Sequence, residues 1–227
     1  MAAQVNLDAL DLAALLCSRV CHDLISPTGA IVNGLEVLED KDSDEETKTF
    51  ALDLIKKSAR TASARLQFCR LAFGAAGSAG AEIDLGDAEG VARGFFEDDK
   101  TKLGWQLPRM LLPKNRVKLL LNLLLLATQI IPRGGTIKAE ALGEGAAMGF
   151  RIEASGLNAR IPQAVPALVA GETANGTVDA HAIQPFYTGL LARTCGLTVS
   201  LDQDGDAIVV SAREHAKSAA EAANPAA

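Results

Sequence analysis

The stretch CSRVCHDLISPTGAIVNGLEVLED, Cys17 to Asp40, decides how the N-terminal part of the chain folds. Its apolar residues recur at helical spacing, and the same pattern extends from about Leu7 to Leu38. Pro27 nevertheless lies inside this helix, where a proline removes a backbone donor and crowds the carbonyl of the residue four positions earlier. We therefore predict one long helix with a bend just below the pair His22 and Asp23.

A second helical pattern runs from about Asp44 to Phe73, and the acidic segment before it predicts a turn. Each helix would be about 45 Å long at the usual rise per residue. Two such helices form a hairpin, but a hairpin alone leaves part of its apolar stripe in water. Residues 1–76 are therefore expected to form a homodimer that closes a four-helix bundle.

The sequence changes character after GAAGSAGAE, Gly74 to Glu82, which predicts a flexible junction. Residues 81–213 show the mixed patterns of an α/β sandwich domain, and residues 214–227 are expected to be a flexible tail. In the α/β region we expect helices in LGDAEGVARGFFEDD, from Pro113 to Ile131, from Pro162 to Val169 and from Asp179 to Cys195. Strands are expected in LGWQL, GTIKAEAL and AMGFRIEAS. The region is expected to end in a hairpin with Asp204 and Gly205 in its turn.

Composition argues against several classes of partner. A formal net charge of -6 and the lack of a basic block argue against nucleic acid as a partner. The longest apolar run, Leu119 to Ile131, is too short to cross a bilayer, and the N-terminus lacks the basic region of a signal peptide, so we expect a cytoplasmic protein without a membrane partner. The four cysteines fit buried apolar residues in a reducing compartment better than a metal site: Cys17, Cys21, Cys69 and Cys195.

Two segments carry a resemblance to a known class of protein. HDLISPTGAIVNGLEVLE resembles the phosphoacceptor box of bacterial histidine kinases, which lies in the first helix of a dimerising hairpin. The elements that follow are similar in order to the ATP-binding domain of these kinases, and LLLNLLLLATQIIPRGGTIKAEA is similar to its asparagine box. The resemblance implies a dimeric four-helix bundle followed by a domain like the histidine kinase ATPase (Bergerat-like) fold.

The second region departs from the kinase pattern at three places. Leu126 occupies the position of the metal-binding asparagine, and an apolar leucine cannot ligate Mg²⁺. The segment SGLNARIP stands where the kinase pattern has an aspartate and a pair of glycines, and DAHAIQPFYTGLLAR replaces the second glycine-rich loop. We therefore expect a degenerate domain that does not bind ATP in the kinase manner.

The segments CHDLISP, LQFCRLAFGAAGSAG, LLPKNRVKLLLN and DAHAIQPFY together resemble the ChpT histidine phosphotransferases of alphaproteobacteria over nearly the full length. That family is dimeric and passes a phosphoryl group from the receiver domain of the hybrid kinase CckA to the cell-cycle response regulators CtrA and CpdR, without ATP. The resemblance implies the same relay here. It also implies no cofactor of the chain's own, because Mg²⁺ would come from the acidic pocket of the receiver.

The resemblance assigns roles around one histidine. His22 would be the phosphoacceptor, because a neutral imidazole is a good nucleophile toward an aspartyl phosphate. Asp23 would orient the imidazole, with a solvated aspartate as the alternative. Ser26 and Arg19 share the helix face of His22 and are expected to contact the incoming receiver, with an ordinary exposed arginine as the alternative for Arg19. Pro27 would expose this reactive face through its bend.

Other interpretations stay open at this point. A non-catalytic dimeric scaffold would share the fold without needing His22, an autokinase is disfavoured by Leu126, and a regulator with weak nucleotide affinity would show ligand-dependent melting. His181 and His215 have no catalytic partner in the sequence and are expected at the surface or in a cap. The basic residues of the second helix are expected to be a solvated face or a docking surface for an acidic receiver: Lys56, Lys57, Arg60 and Arg65.

Overall fold

A computed structural model describes residues 3–74, 80–173 and 176–214 of the 227-residue chain. The two long helices are α1, Ala9–Glu39, and α2, Glu45–Ala72. Each begins at an aspartate, because Asp8 accepts hydrogen bonds from two backbone amides of α1 and Asp44 accepts one from Thr47 of α2. The helices pack against each other as the expected hairpin.

Small residues set the approach of the two helices. Gly34 of α1 is buried, and a Cβ built on it would meet Ile55 Cγ1 at 2.6 Å and the carbonyl oxygen of Ala51 at 3.2 Å. The helix α1 continues through Pro27, whose side chain is buried. The bend expected at that proline stays a prediction.

The second region is an α/β sandwich built on a five-stranded sheet, whose strands in spatial order are β3 Thr101–Gln106, β5 Gly135–Leu142, β6 Gly149–Ser155, β9 Ala207–Glu214 and β8 Leu197–Asp204. The pair β3 and β5 is parallel, and the other neighbours are antiparallel. The other strands are short: β1 Ala3–Gln4, β2 Glu82–Asp84, β4 Leu111–Pro113 and β7 Glu172–Thr173. The helices of this region are α3 Leu85–Phe96, α4 Lys114–Ile130, α5 Val165–Ala170 and α6 Ile183–Thr194.

One face of the sheet forms the core and the other is ionic. The helix α4 is buried on nearly all sides, and its leucines pack with inward residues of the strands such as Ile137, Phe150 and Val210. On the opposite face, Arg151 pairs with Glu140, Glu153 and Asp204, and Lys138 pairs with Glu153. Apolar and charged residues therefore alternate along the strands, as they do in a sheet that helices cover on one face only.

The hairpin and the sandwich are joined at both ends of the hairpin sequence. At the N-terminal end, β1 pairs with β7 and the amide of Val5 donates to the carbonyl of Gly171 at 2.9 Å. At the C-terminal end, the buried Asn122 of α4 donates through Nδ2 to the carbonyl of Ala72 at 3.1 Å. The α/β region therefore contacts the first described residues of the chain as well as the last turn of α2.

Several sequence expectations need correction in detail. The short strands β1, β2, β4 and β7 were not expected, and β2 begins inside the segment expected to be a flexible junction, of which residues 75–79 lie outside the described residues. Pro113 is the last residue of β4 and lies just before α4, whereas it was expected to be the first residue of the helix. Its ψ of 133° is not helical. The turn of the last hairpin holds Gly205 and Asp206, and Gly205 has a φ of 60°. Residues 215–227 of the expected tail lie outside the described residues.

Among the residues that the structure describes, no helix combines the length and the hydrophobicity that crossing a membrane requires.

Two helical glycines make a matched test of the hairpin packing. Gly34→Ala adds a methyl group against Ile55 and the Ala51 carbonyl, so we expect the free energy of unfolding to fall by about 1–3 kcal/mol. Gly29→Ala adds the same group where nothing lies within 4 Å, and a helical alanine is then favoured by about 0.5–1 kcal/mol. Urea denaturation followed by circular dichroism measures both changes, and equal effects of the two substitutions would contradict the close approach at Gly34.

Candidate functional site

His22 projects from α1 into solvent, with 70% of its side chain exposed. Its Nδ1 lies 3.5 Å from Oδ1 of Asp23, a long hydrogen bond in which Nδ1 donates when it carries the proton. In that tautomer the lone pair is on Nε2, on the other side of the ring. The exposed imidazole is thus arranged to offer one nitrogen as a nucleophile.

Asp23 points toward the packed side of the hairpin. Only 12% of its side chain is exposed, and Nε of Arg19 donates to its Oδ2 at 3.1 Å, across one helical turn. Asp23 is therefore not the solvated aspartate of the alternative interpretation, and Arg19, with 23% of its side chain exposed, is more than an ordinary surface arginine. One carboxylate oxygen binds Arg19 and the other faces His22.

Arg65 satisfies the carbonyl that Pro27 leaves without a donor. In an uninterrupted helix the amide of residue 27 would donate to the carbonyl of Asp23, but proline has no amide hydrogen. Nη1 of Arg65 donates to that carbonyl oxygen at 2.6 Å, and the contact is partly buried. The expectation that Arg65 belongs to a solvated face is therefore wrong for this residue, while Lys56, Lys57 and Arg60 are exposed.

The buried thiol of Cys69 lies under this group of charges. Burial, with a smaller contribution from the negative charge of Asp23, raises the pKa of the Cys69 thiol to about 11, against the opposing charges of Arg19 and Arg65. The thiol is therefore protonated at neutral pH and is a poor nucleophile. Of the cysteines, Cys17 and Cys21 are exposed, which corrects the expectation that they are buried.

The open side of the site continues along α1. Ser26 is exposed one turn after His22, and the space beside Gly29, a further turn along, is empty to 4 Å. His22, Ser26 and Gly29 together present a face that an incoming protein can reach.

His181 lies against His22, which the sequence did not predict. The centroids of the two imidazole rings are 5.9 Å apart and the ring planes meet at 78°, an edge-to-face arrangement. His181 stands in the turn that precedes α6, so the α/β region contributes a side chain to the surroundings of His22. His181 is exposed just before α6, as expected of a surface or capping residue, and its contact with His22 is the part that the sequence did not predict; His215 lies outside the described residues.

Residues in two of the segments that depart from the kinase pattern make core contacts. Leu126 is 1% exposed and belongs to the hydrophobic core of the α/β domain. Next to it, α6 packs directly on α4: Nε2 of the fully buried Gln184 donates to the carbonyl of Asn122 at 2.9 Å, and Gln129 donates to Gln184 at 2.9 Å. Asn122 therefore serves the junction with α2 and the contact between α4 and α6.

Within the three described segments of the chain, no group of three or more His, Cys, Asp or Glu side chains is placed to hold a metal ion.

Comparison with known proteins places this architecture in a family. A family model described as the histidine phosphotransferase C-terminal domain matches residues 85–207. The protein phosphotransferase ChpT of Brucella abortus (strain 2308) is 50% identical over 212 residues, which make up 93% of this chain and 100% of that protein. The chain belongs to the ChpT family of histidine phosphotransferases. A solved structure, a bacterial phosphotransferase at 1.7 Å, matches this ChpT family member with 49% identity and a TM-score of 0.84, over 92% of this chain and 99% of that chain.

Membership of the ChpT family confirms two of the expectations from the sequence. The fold is a helical N-terminal region followed by an α/β sheet domain, and the activity is histidine phosphotransfer in two-component signalling. The residues that carry the phosphoryl group, the oligomeric state and the partners stay predictions, as do the domain boundaries.

Replacing Arg65 tests the contact with the Asp23 carbonyl in this ChpT family member. Arg65→Met keeps most of the side-chain volume but leaves the partly buried carbonyl without its donor, so we expect the free energy of unfolding to fall by about 1–3 kcal/mol. Arg60→Met, on an exposed position of the same helix, is the control and should change it by less than about 0.5 kcal/mol. Urea denaturation at one protein concentration measures both, and indistinguishable midpoints would contradict the role assigned to Arg65.

Proposed function

We propose that this protein relays a phosphoryl group through His22, from the phospho-aspartate of a hybrid kinase's receiver domain to the aspartate of response regulators, without ATP. The pattern would be that of CckA to CtrA and CpdR, in the cytoplasm. The observation that carries the proposal is the exposed His22 imidazole whose Nδ1 faces the carboxylate of Asp23, itself held by Arg19. Neither a nucleic acid nor a membrane is proposed as a partner.

The chemistry follows from the two ring nitrogens. Nε2 attacks the phosphorus of the aspartyl phosphate in line, so the N–P bond forms as the bond from phosphorus to the carboxylate oxygen breaks. The electron pair of that bond stays on the receiver's carboxylate. The ring gains positive charge in this step, and the Asp23 carboxylate stabilises it by accepting the hydrogen bond of Nδ1. The reverse sequence delivers the group to the next receiver.

The neighbouring residues are proposed to assist the encounter. Ser26 is exposed beside His22 and is proposed to contact the receiver, while Arg19 is proposed to hold Asp23 and to add positive charge near the transferring phosphate. Pro27 leaves the Asp23 carbonyl free to accept the hydrogen bond of Arg65. Because this bond ties α1 to α2 beside His22, Pro27 is proposed to help keep the docking surface fixed. Mg²⁺ is proposed to come with the receiver, whose acidic pocket binds it.

Two features of the α/β domain support the proposal that ATP is not used. The buried leucine at position 126 offers no oxygen to a metal ion, and α6 lies directly on α4 through Gln184. An autokinase would take label from radioactive ATP with Mg²⁺, and a nucleotide-binding regulator would melt at higher temperature with nucleotide present. We expect neither effect.

A homodimer is proposed because the hairpin exposes an apolar stripe. On α1 it comprises Ile25, 71% exposed, Val32, 48%, and Leu35, 47%, and Leu66 of α2 is 55% exposed. Ile25 and Val32 are two helical turns apart and share one side of the helix, which is the spacing of a bundle seam. A second copy of the hairpin would cover these residues.

Adding a charge to this stripe tests the dimer. Val32→Lys places a cation in the proposed seam, so we expect the mass measured by light scattering after size exclusion to fall toward the 23.7 kDa of one chain. Asn33→Lys is the control, because Asn33 is exposed about 100° around the helix from Val32. A wild-type protein with the mass of a single chain would contradict the dimer.

The relay is tested with purified proteins and without ATP. Wild type is mixed with a receiver domain carrying labelled phospho-aspartate, and a second receiver is added afterwards. We expect label on the wild type and then on the second receiver, and none on His22→Ala, because that variant lacks the imidazole proposed to form the bond to phosphorus. Asp23→Asn should keep the hydrogen-bonding shape and slow transfer by about tenfold or more, since it removes the charge that stabilises the imidazolium.

The same experiment separates the relay from a scaffold. His22→Ala must first show the circular dichroism and mass of wild type, so that lost labelling reports chemistry and not misfolding. Label that reaches His22→Ala as fast as wild type would place the acceptor elsewhere. A wild type that takes no label from any cognate receiver, yet binds one, would favour the non-catalytic scaffold.

A further inference from the structure

The ring contact between His22 and His181 joins two parts of the chain that are far apart in sequence. His22 belongs to α1, whereas His181 belongs to the turn before α6 in the α/β region. Both side chains are exposed, so burial does not force the rings together. The edge-to-face geometry, with centroids 5.9 Å apart, is the arrangement that aromatic rings prefer.

The backbone around His181 is held firmly in place. Oδ1 of Asp179 accepts the amide of His181 at 2.9 Å and that of Ala182 at 2.8 Å, which are the hydrogen bonds of a helix-start turn. The amide of Ile183 donates to the carbonyl of Asp179 at 3.0 Å. The turn therefore has a defined conformation, and the position of His181 follows from it.

The helix that follows this turn is anchored in the core. Gln184 is fully buried and donates to the carbonyl of Asn122 at 2.9 Å, and Asn122 in turn donates to the carbonyl of Ala72. A chain of contacts thus runs from the end of α2 through α4 and α6 to the turn that carries His181. It gives the turn a fixed position relative to the hairpin.

We propose that His181 is a positioning residue for His22, which restricts the rotation of the imidazole so that Nε2 meets the phosphoryl group in line. This inference rests on the proposed relay through His22. Asp23 restrains the ring at Nδ1 and His181 restrains it through the ring contact, so two elements limit a side chain that is otherwise exposed. An exposed imidazole without such restraints samples several rotamers, and only some of them direct a nitrogen along the line of attack.

Rates of transfer from a labelled receiver test this role in the 227-residue protein. His181→Ala removes the ring, and we expect the maximal rate of label uptake to fall about tenfold while the receiver concentration for half-maximal rate is unchanged. His181→Phe restores an aromatic ring without its nitrogens and is expected to recover most of the rate, because the ring contact provides the restraint. A His181→Phe rate as low as that of His181→Ala would overturn the account based on ring contact.

The turn supplies a second, independent pair of variants. Asp179→Ala removes the acceptor of both amides and is expected to slow uptake in the same direction as His181→Ala. Asp179→Asn keeps an oxygen in the same place and should stay close to wild type. Equal rates for all the variants and wild type would overturn the positioning role.

Nuclear magnetic resonance of the His22 ring nitrogens gives a readout that does not depend on transfer. We expect His181→Ala to change the ¹⁵N signals and tautomer populations of the unphosphorylated His22 ring, and His181→Phe to change them less. Wild-type signals and wild-type rates in His181→Ala would overturn the inference while the relay stands. If wild type takes no label at all, the proposed relay is wrong. The role of His181 in that relay is then wrong as well, even if His181→Ala changes the ¹⁵N signals of the His22 ring.

Discussion

The carbonyl of Asp23, which Pro27 leaves without a backbone donor, is the point on which the geometry around His22 depends. Arg65 donates to it at 2.6 Å, so a guanidinium from α2 replaces a hydrogen bond within α1. This hydrogen bond between the helices fixes α1 and α2 against each other at the level of His22. It also holds the residue whose carboxylate faces the imidazole, so one irregularity in α1 affects both the packing of the hairpin and the surroundings of His22.

The parts of the fold that the sequence predicted well are those with strong local signals. The helices α1, α2 and α4 have long apolar periodicity, and Asp8 and Asp44 mark the starts of the first two. The strands β5 and β6 are long enough to show a pattern of their own. His22 and Asp23 could be selected because their segment resembles a phosphoacceptor box, and the spacing within one helix places Ser26 on the face of His22.

The main features that the sequence did not predict depend on contacts between distant segments. Strands of two or three residues, such as β1 and β7, are too short to show alternation. The contact of Arg65 with Asp23 depends on the register of the hairpin, and that of His181 with His22 depends on how α6 packs on α4. Residues Asp179 to Ala182 do contain the pattern of a capped turn, which predicts a rigid segment but not the side chain that it approaches.

The pairing of β1 with β7 also bears on how the chain folds during synthesis. Ala3 and Gln4 are synthesised before the hairpin, whereas their partners Glu172 and Thr173 are made only after the hairpin and most of the sheet domain. The long helices can form early from local contacts, while the strand that leads into α1 stays unpaired until much later. The pairing of β1 with β7 is therefore a late event, and it joins the hairpin to the α/β domain as one folding unit.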